Sequence, residues 1–418
     1  MPISRTAPTG WKAPAPLTVL DWQRRQEAYT RTNLNAQMLA MALESGSWTI
    51  MPTAPAPVMD PLALAVRILM ITEADRLHQA RTYSIGANAT GLAVAAAAGS
   101  APQERISTTR PPSPTGLMVF ADPIGSDVEH HLTHSGNRVE IHTPIVAVSW
   151  SLWDGSQTHI LGQEHPLTWI RQSRQRGLIP SPSDQHGIWM TFYAPRTGDT
   201  TGVDPNATVS VGPDGTPVTA AESAAAETAF RRRNPEVWGP LAWHNEVVLP
   251  EGGTFEPHPE PGTVQHWAAT VYTTWQIIQQ TGKSQLTETT RTTLPPAARK
   301  KAKTKAKTHN TGRSGTTGDG TVRVIDLAAP VRPTSTAAEQ DAAASDGRRT
   351  VQWSCRWPVP PYRRNTCLNT YLHHKLSDDR LEHHEHREDI VPFTVKGPAD
   401  KPLRIPGGTT FTFDTPQP

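Results

Sequence analysis

Apolar positions in this chain come in short blocks, and the period within each block predicts a mixture of helices and strands. Between residues 62 and 71, Leu62, Leu64, Ala65, Val66, Ile68, Leu69 and Ile71 cover nearly every face of a helix, which marks it as buried. Asp60 offers an N-cap, and Pro61 takes the first helical position, where its missing N–H is no loss. Asp75, Arg76, His78 and Arg81 are expected to end this helix in a charged, solvated turn. A second block places Val264, Trp267, Ala268, Val271, Trp275 and Ile278 on one helical face, with Gln265, Gln276, Gln279 and Gln280 mostly opposite. Thr263 leads into that helix as N-cap and Gly282 closes it. A less regular stripe of Trp22, Tyr29, Leu34, Met38 and Met41 predicts a first helix over 21–45, with Thr18 and Gly46 as its end signals.

Runs rich in β-branched and aromatic residues, bounded by Pro and Gly, predict strands at 116–121, 141–153, 187–194 and 241–249. Shorter ones follow at 322–327, 351–357, 390–395 and 409–413. The implied fold is α+β: a helical N-terminal part packed on a mainly antiparallel sheet, then a small β-rich C-terminal domain. Residues 87–114, rich in Ala, Ser, Thr and Pro, read as a loop. Residues 199–226 have neither a period nor large apolar side chains and read as a flexible insert. The chain therefore divides into an N-terminal helix with a Pro-rich connector (1–59), an α+β domain with those two inserts (60–282), a basic flexible linker (283–320) and the C-terminal domain (321–418).

Composition adjusts this picture in two ways. Of 418 residues, 40 are proline and only 36% are hydrophobic, so a sizeable part is expected outside any core. The 13 tryptophans argue for real cores, because side chains of that size are buried or used for binding. Two cysteines, Cys355 and Cys367, are too few for a disulfide framework and suit a reducing, cytoplasmic setting. The first residues lack the apolar run of a signal peptide, and no run reaches the roughly 20 apolar residues that span a bilayer. No membrane is expected as a partner.

The net charge of +2 excludes a uniformly polybasic chain, but the charge is uneven. Arg299, Lys300, Lys301, Lys303, Lys305 and Lys307 form a cationic run with no acid nearby. Such a run binds polyanions by counterion release, without reading sequence, or else serves as a solvated spacer. Near the C-terminus, tryptophan and arginine interleave in 353–357, then Arg363 and Arg364 follow a proline-rich stretch and are expected on a loop. On a strand over 351–357, Trp353, Cys355 and Trp357 share one face and Arg356 the other, which makes the tryptophans core and leaves Arg356 solvated or paired. Arg356, Arg363, Arg364 and Lys396 are the candidate phosphate contacts there, with Tyr362 available to stack on a base. Histidines cluster at His130, His131 and His134, and again at His373, His374, His383, His384 and His386, but their spacing matches no zinc ribbon or finger. Phosphate-cradling glycine motifs, a His-Glu-x-x-His pair and a nucleophile elbow are all missing, so no cofactor or catalytic residue is assigned.

The segments Trp353–Trp357, Tyr362–Asn365 and Lys396–Leu403 also carry a resemblance. Over about its last hundred residues the chain resembles proteins of actinobacteria, their phages and their plasmids that end in a Trp-Ser-x-Arg-Trp segment, an aromatic-Arg cluster and a Lys-Gly-Pro-x-Asp-Lys-Pro-Leu turn. Tyr362 stands where those proteins often have His, and 368–388 is longer and richer in histidine. The resemblance implies kinship and assigns no activity. The function expected is nucleic-acid contact, DNA or RNA, through the basic linker and the Arg363-Arg364 segment. The alternatives are an RNA-cleaving, toxin-like C-terminal domain and a phage or plasmid assembly protein.

Overall fold

The fold was obtained as a computed structural model. It describes residues 11–44, 50–53, 61–99, 104–132, 138–154, 168–173, 177–180, 186–196, 206, 208–211, 216–235, 237–280, 285–294, 320–327, 354–359, 362–368, 386–391, 394–397, 401, 403–404 and 410–411.

The centre is a seven-stranded sheet. Its strands in chain order are β1 (Arg81–Ile85), β2 (Thr115–Phe120), β3 (Ala147–Asp154), β4 (His186–Pro195), β5 (Leu241–Pro250), β6 (Thr287–Thr293) and β7 (Thr321–Leu327). They lie side by side as β5-β4-β3-β2-β1-β7-β6. Every junction is antiparallel except the two flanking β1, which are parallel. The mainly antiparallel α+β class read from the pattern is the one observed.

Helices cover both faces, which is why the inner strands are buried on both sides. One face carries α1 (Pro16–Thr30), α2 (Asn33–Glu44) and α3 (Pro61–Gln79). Ala65, Ile68 and Leu69 of α3 pack with Leu39 and Leu43 of α2 and with Trp153 and Trp189 of the sheet. The other face carries α4 (Ala87–Gly99) and α6 (Val264–Ile278). Trp267, Val271 and Trp275 of α6 are buried against Met118, Val148, Trp150 and Phe192. Thr263 caps α6 as its sequence suggests, accepting from the His266 amide at 3.3 Å.

Trp150 fixes the middle of that layer. Its ring lies 5.2 Å from Trp275 and 5.6 Å from Tyr83, and its indole N–H donates to the Ser113 carbonyl at 2.8 Å. Gly116 stands opposite on β2, where an added Cβ would come within 2.2 Å of the Trp150 ring. Only glycine lets that ring lie against the sheet.

Several expectations need correction. The first helix is two, because Thr32 caps a new start: its hydroxyl accepts from the Asn35 amide at 3.3 Å. The cap of α1 is Ala15 rather than Thr18, with Pro16 in its first turn. The segment 87–114, read as a loop, opens with α4. Alanine is the best helix former, and Leu92, Ala93 and Ala96 pack on Ile277. The insert read over 199–226 contains the hairpin Thr208–Val211/Pro217–Thr219 and the start of α5 (Ala220–Arg233). Thr219 and Glu222 form a capping box that starts α5 without help from large apolar residues. The strand read over 141–153 is two, split at Val146, whose amide donates to the Tyr193 carbonyl.

The domain division also moves. Residues 287–293, assigned to the linker, are β6, and 321–327, assigned to the C-terminal domain, are β7. β7 pairs in parallel with β1, and β6 closes the sheet beside it. The central unit therefore extends to Leu327. Beyond it, Trp357–Val359 pairs with Thr394–Lys396, Tyr362–Cys367 with His386–Val391, and Leu403–Arg404 with Thr410–Phe411. Val395 packs on the Leu92–Ala96–Ile277 cluster, which seats this small β-rich part on the α4–α6 layer.

Candidate functional site

The most concentrated chemistry among the described residues is a buried polar cluster between α3 and the sheet. Ser149, Thr191 and Glu246 stand at one level across β3, β4 and β5. Glu73 and Arg76 reach down to them from α3, one turn apart. Both side chains are 1% exposed and pair at 2.5 Å. Arg76 Nη1 also donates to Thr191 Oγ1 at 2.6 Å and to Ser149 Oγ at 3.2 Å. Glu73 Oε1 accepts from Ser149 Oγ at 2.7 Å and from the Tyr193 hydroxyl. The Arg76 guanidinium carbon lies 4.6 Å over the Trp189 ring. Arg76, read as part of a solvated turn, is buried, because it lies on the same inward stripe as Leu69, Glu73, Leu77 and Ala80.

Electrostatics in this cluster are set by burial. Glu246 is fully enclosed, and burial pushes its carboxyl up to about 8; Arg76 pulls it down and Glu73 pushes it up further. Tyr193 is held well above its ordinary value, first by burial and then by the Glu73 charge. Glu73 receives donors on both oxygens. The nearest surface is a shallow cleft of about 240 Å³ lined by Thr72, Asp75, Arg76, Gln79, Thr115 and Ser151, among others. Arg76 Nε donates to Ser151 Oγ at 3.3 Å in that wall. The cluster docks α3 on the sheet.

The sequence-derived candidates are spread over separate places. Arg356 is half-buried and its Nε donates to the Lys401 carbonyl at 3.0 Å, so it holds a turn. Lys396 is exposed on the neighbouring strand, where its residue pairs with Trp357. Gly397 follows with φ +105°, and a Cβ there would come within 2.5 Å of the Cys355 carbonyl, so the Lys-Gly-Pro turn requires glycine. Arg363 and Arg364 lie on the strand Tyr362–Cys367 rather than a loop, paired in register with Ile390 and Asp389. The proline-rich stretch before them ends where ladder pairing with 386–391 begins. Arg364 is exposed and donates to Thr366 Oγ1 at 3.3 Å. Lys300, Lys301, Lys303, Lys305 and Lys307 lie outside the described residues. Their attachment is described: the Leu294 amide donates to the Gly320 carbonyl at 3.2 Å, and β6 and β7 pair along their whole length. Among the described residues no three His, Cys, Asp or Glu gather as a metal site, and both cysteines are free thiols. No described helix is long and apolar enough to cross a membrane.

The structure adds one charged surface that the sequence pattern does not single out. The last turn of α5 is Arg231, Arg232 and Arg233, all exposed. The signal for it is a plain run of three arginines beside a segment that reads as an insert. Phe230, just before them, packs on Tyr29 at 6.2 Å and on Trp238 at 6.3 Å. Arg196 lies over Tyr29 and Trp238 and pairs with Glu227 of α5 at 3.1 Å.

No family model, curated protein or solved structure matches the chain.

Proposed function

We propose that this protein contacts nucleic acid, and that Lys300, Lys301, Lys303, Lys305 and Lys307 make the principal contact. The reading rests on where the segment is held. Residues 295–319 leave β6 and return to β7, with Leu294 and Gly320 hydrogen-bonded at the base. That segment carries the cationic run, and its one acid is Asp319. A cationic stretch tied at both ends to one sheet edge is presented by a folded body, and does not act as a tether between two bodies. Its charge suits a phosphate backbone, through release of condensed counterions.

Arg363, Arg364 and Lys396 add further cations from the C-terminal ladders; Arg356 is committed to its turn. The reading places the protein in the cytoplasm, in keeping with two unpaired thiols. Its test is a low-salt gel shift with DNA and RNA, comparing the chain with a variant in which the five lysines are replaced by Gln. Binding that weakens equally for all sequences supports the reading. Cleavage of RNA that survives loss of the lysines but not of Arg363 and Arg364 would overturn it.

A further inference from the structure

We infer that the end of α5 forms a further, fixed contact for a nucleic-acid backbone, made by Arg231, Arg232 and Arg233. This deepens the proposed function and rests on it. α5 carries two acids, Glu222 and Glu227, and three arginines. Both acids are used inside the fold. Glu222 closes the capping box, accepting from the Thr219 amide at 2.8 Å and its hydroxyl at 2.9 Å, and these bonds hold its carboxyl below the usual range. Glu227 pairs with Arg196. Neither neutralises the arginines, and among the described residues nothing pairs with them. The next acid in the chain, Glu236, lies outside the described residues.

A simpler role is available to one of the three. A cation in the last turn of a helix offsets the negative end of the macrodipole, worth about 0.3–1 kcal/mol. That role does not need three in succession. Consecutive residues stand about 100° apart around a helix, so three of them fan over more than half its circumference. They cannot all turn onto the same last carbonyls. What such a fan provides is a broad set of planar donors facing solvent, the form in which arginine grips phosphate with two parallel hydrogen bonds.

The mounting is firm. The capping box fixes the start of α5, the Arg196–Glu227 pair holds its middle, and Phe230 seats its end against Tyr29 and Trp238. The backbone that carries the arginines is already held, so binding has only their side chains left to order.

The test uses the full chain with Arg231→Gln, Arg232→Gln and Arg233→Gln combined, since Gln keeps helix propensity. Unchanged far-UV circular dichroism and melting temperature confirm the fold. The probe is a fluorescein-labelled duplex of about 20 base pairs, read by anisotropy over a salt series, with about 0.9 of log–log slope expected per phosphate contact. The triple variant is expected to bind at least about tenfold more weakly at low salt, with a slope smaller by about 2 to 3. Arg→Lys at all three positions should keep most of the affinity. If the Gln variant matches the parent chain while the five-lysine variant weakens, the inference falls and the proposed function stands. Should the Gln variant weaken while the lysine variant does not, the inference stands and the lysine site falls. Binding to phosphatidylserine vesicles that depends on these arginines, with no binding to DNA or RNA, would overturn both readings in favour of a membrane surface.

Discussion

The Thr191 hydroxyl lies 3.0 Å from Glu246 Oε1 and 3.3 Å from Glu73 Oε2, and it has one proton to give. It therefore serves one carboxylate at a time, and a proton retained on Glu246 resolves the conflict. Burial raises the Glu246 carboxyl to about 8 in the folded chain, above its ordinary 4.5. Between those two values the folded state binds more protons than the unfolded state, so this group's contribution falls as pH rises through the window and is lost above pH 8. The fall is on the order of 4 kcal/mol. Glu246→Gln should remove it, leaving a chain more stable than the parent at pH 8. Urea unfolding at pH 5 and pH 8 checks this; parallel pH dependence in both chains would contradict it.

The Glu73–Arg76 pair should behave as a buried ion pair. Arg76→Met alone leaves Glu73 without its cation and should cost about 3–5 kcal/mol. Replacing Glu73 as well, with Gln, should recover part of that loss. A double mutant that is no better than the single would show that the charges do not see each other.

Trp267 and Trp275 are 1% and 0% exposed at the centre of the α6 layer. Either one replaced by Ala should lower stability by about 3–5 kcal/mol. The emission lost when either one is replaced by Phe, read as a difference spectrum against the parent chain, should lie at short wavelength and resist quenching by iodide. Emission of exposed indole at both positions would contradict the core described for α6.

Trypsin offers a test of the revised chain division. Cleavage within 299–313 should leave two fragments that co-elute under native conditions, because β6 and β7 remain paired and β7 is held by β1. Separation of the fragments without denaturant would restore a tether between independent domains.

Legibility in the sequence follows contrast. α6 is readable because Trp267, Val271 and Trp275 alternate with other residue types at helical spacing, with glutamines mostly opposite. α4 is hidden because it lacks such contrast: apart from Leu92 and Val94, its second half is alanine up to Gly99, so no stripe stands out. α5 has no large apolar residue before Phe230, yet its Thr219–Glu222 cap is in plain view. β6 is a run of Thr, Glu and Arg without alternation, since it is an edge strand exposed along most of its length. Its neighbour β7 pairs with β1 across more than 200 residues of chain, a contact no local pattern records. The buried cluster has one clue, a Glu and an Arg on the inward stripe of an apolar helix, which the pattern alone presents as a wet helix end. Of the candidate contacts, Lys396 and Arg364 are exposed, Arg356 is engaged, and the lysine run takes its meaning only from the strands on either side.

The most direct measurement is the salt dependence of nucleic-acid affinity, followed by anisotropy with the full chain and with the variant carrying Gln at Lys300, Lys301, Lys303, Lys305 and Lys307. The account predicts a steep fall of log K with log salt in the parent chain. In the variant the slope should be smaller by up to about 4.5, at about 0.9 for each phosphate no longer neutralised. Absence of binding to any DNA or RNA at low salt, or identical slopes in the two chains, would contradict it.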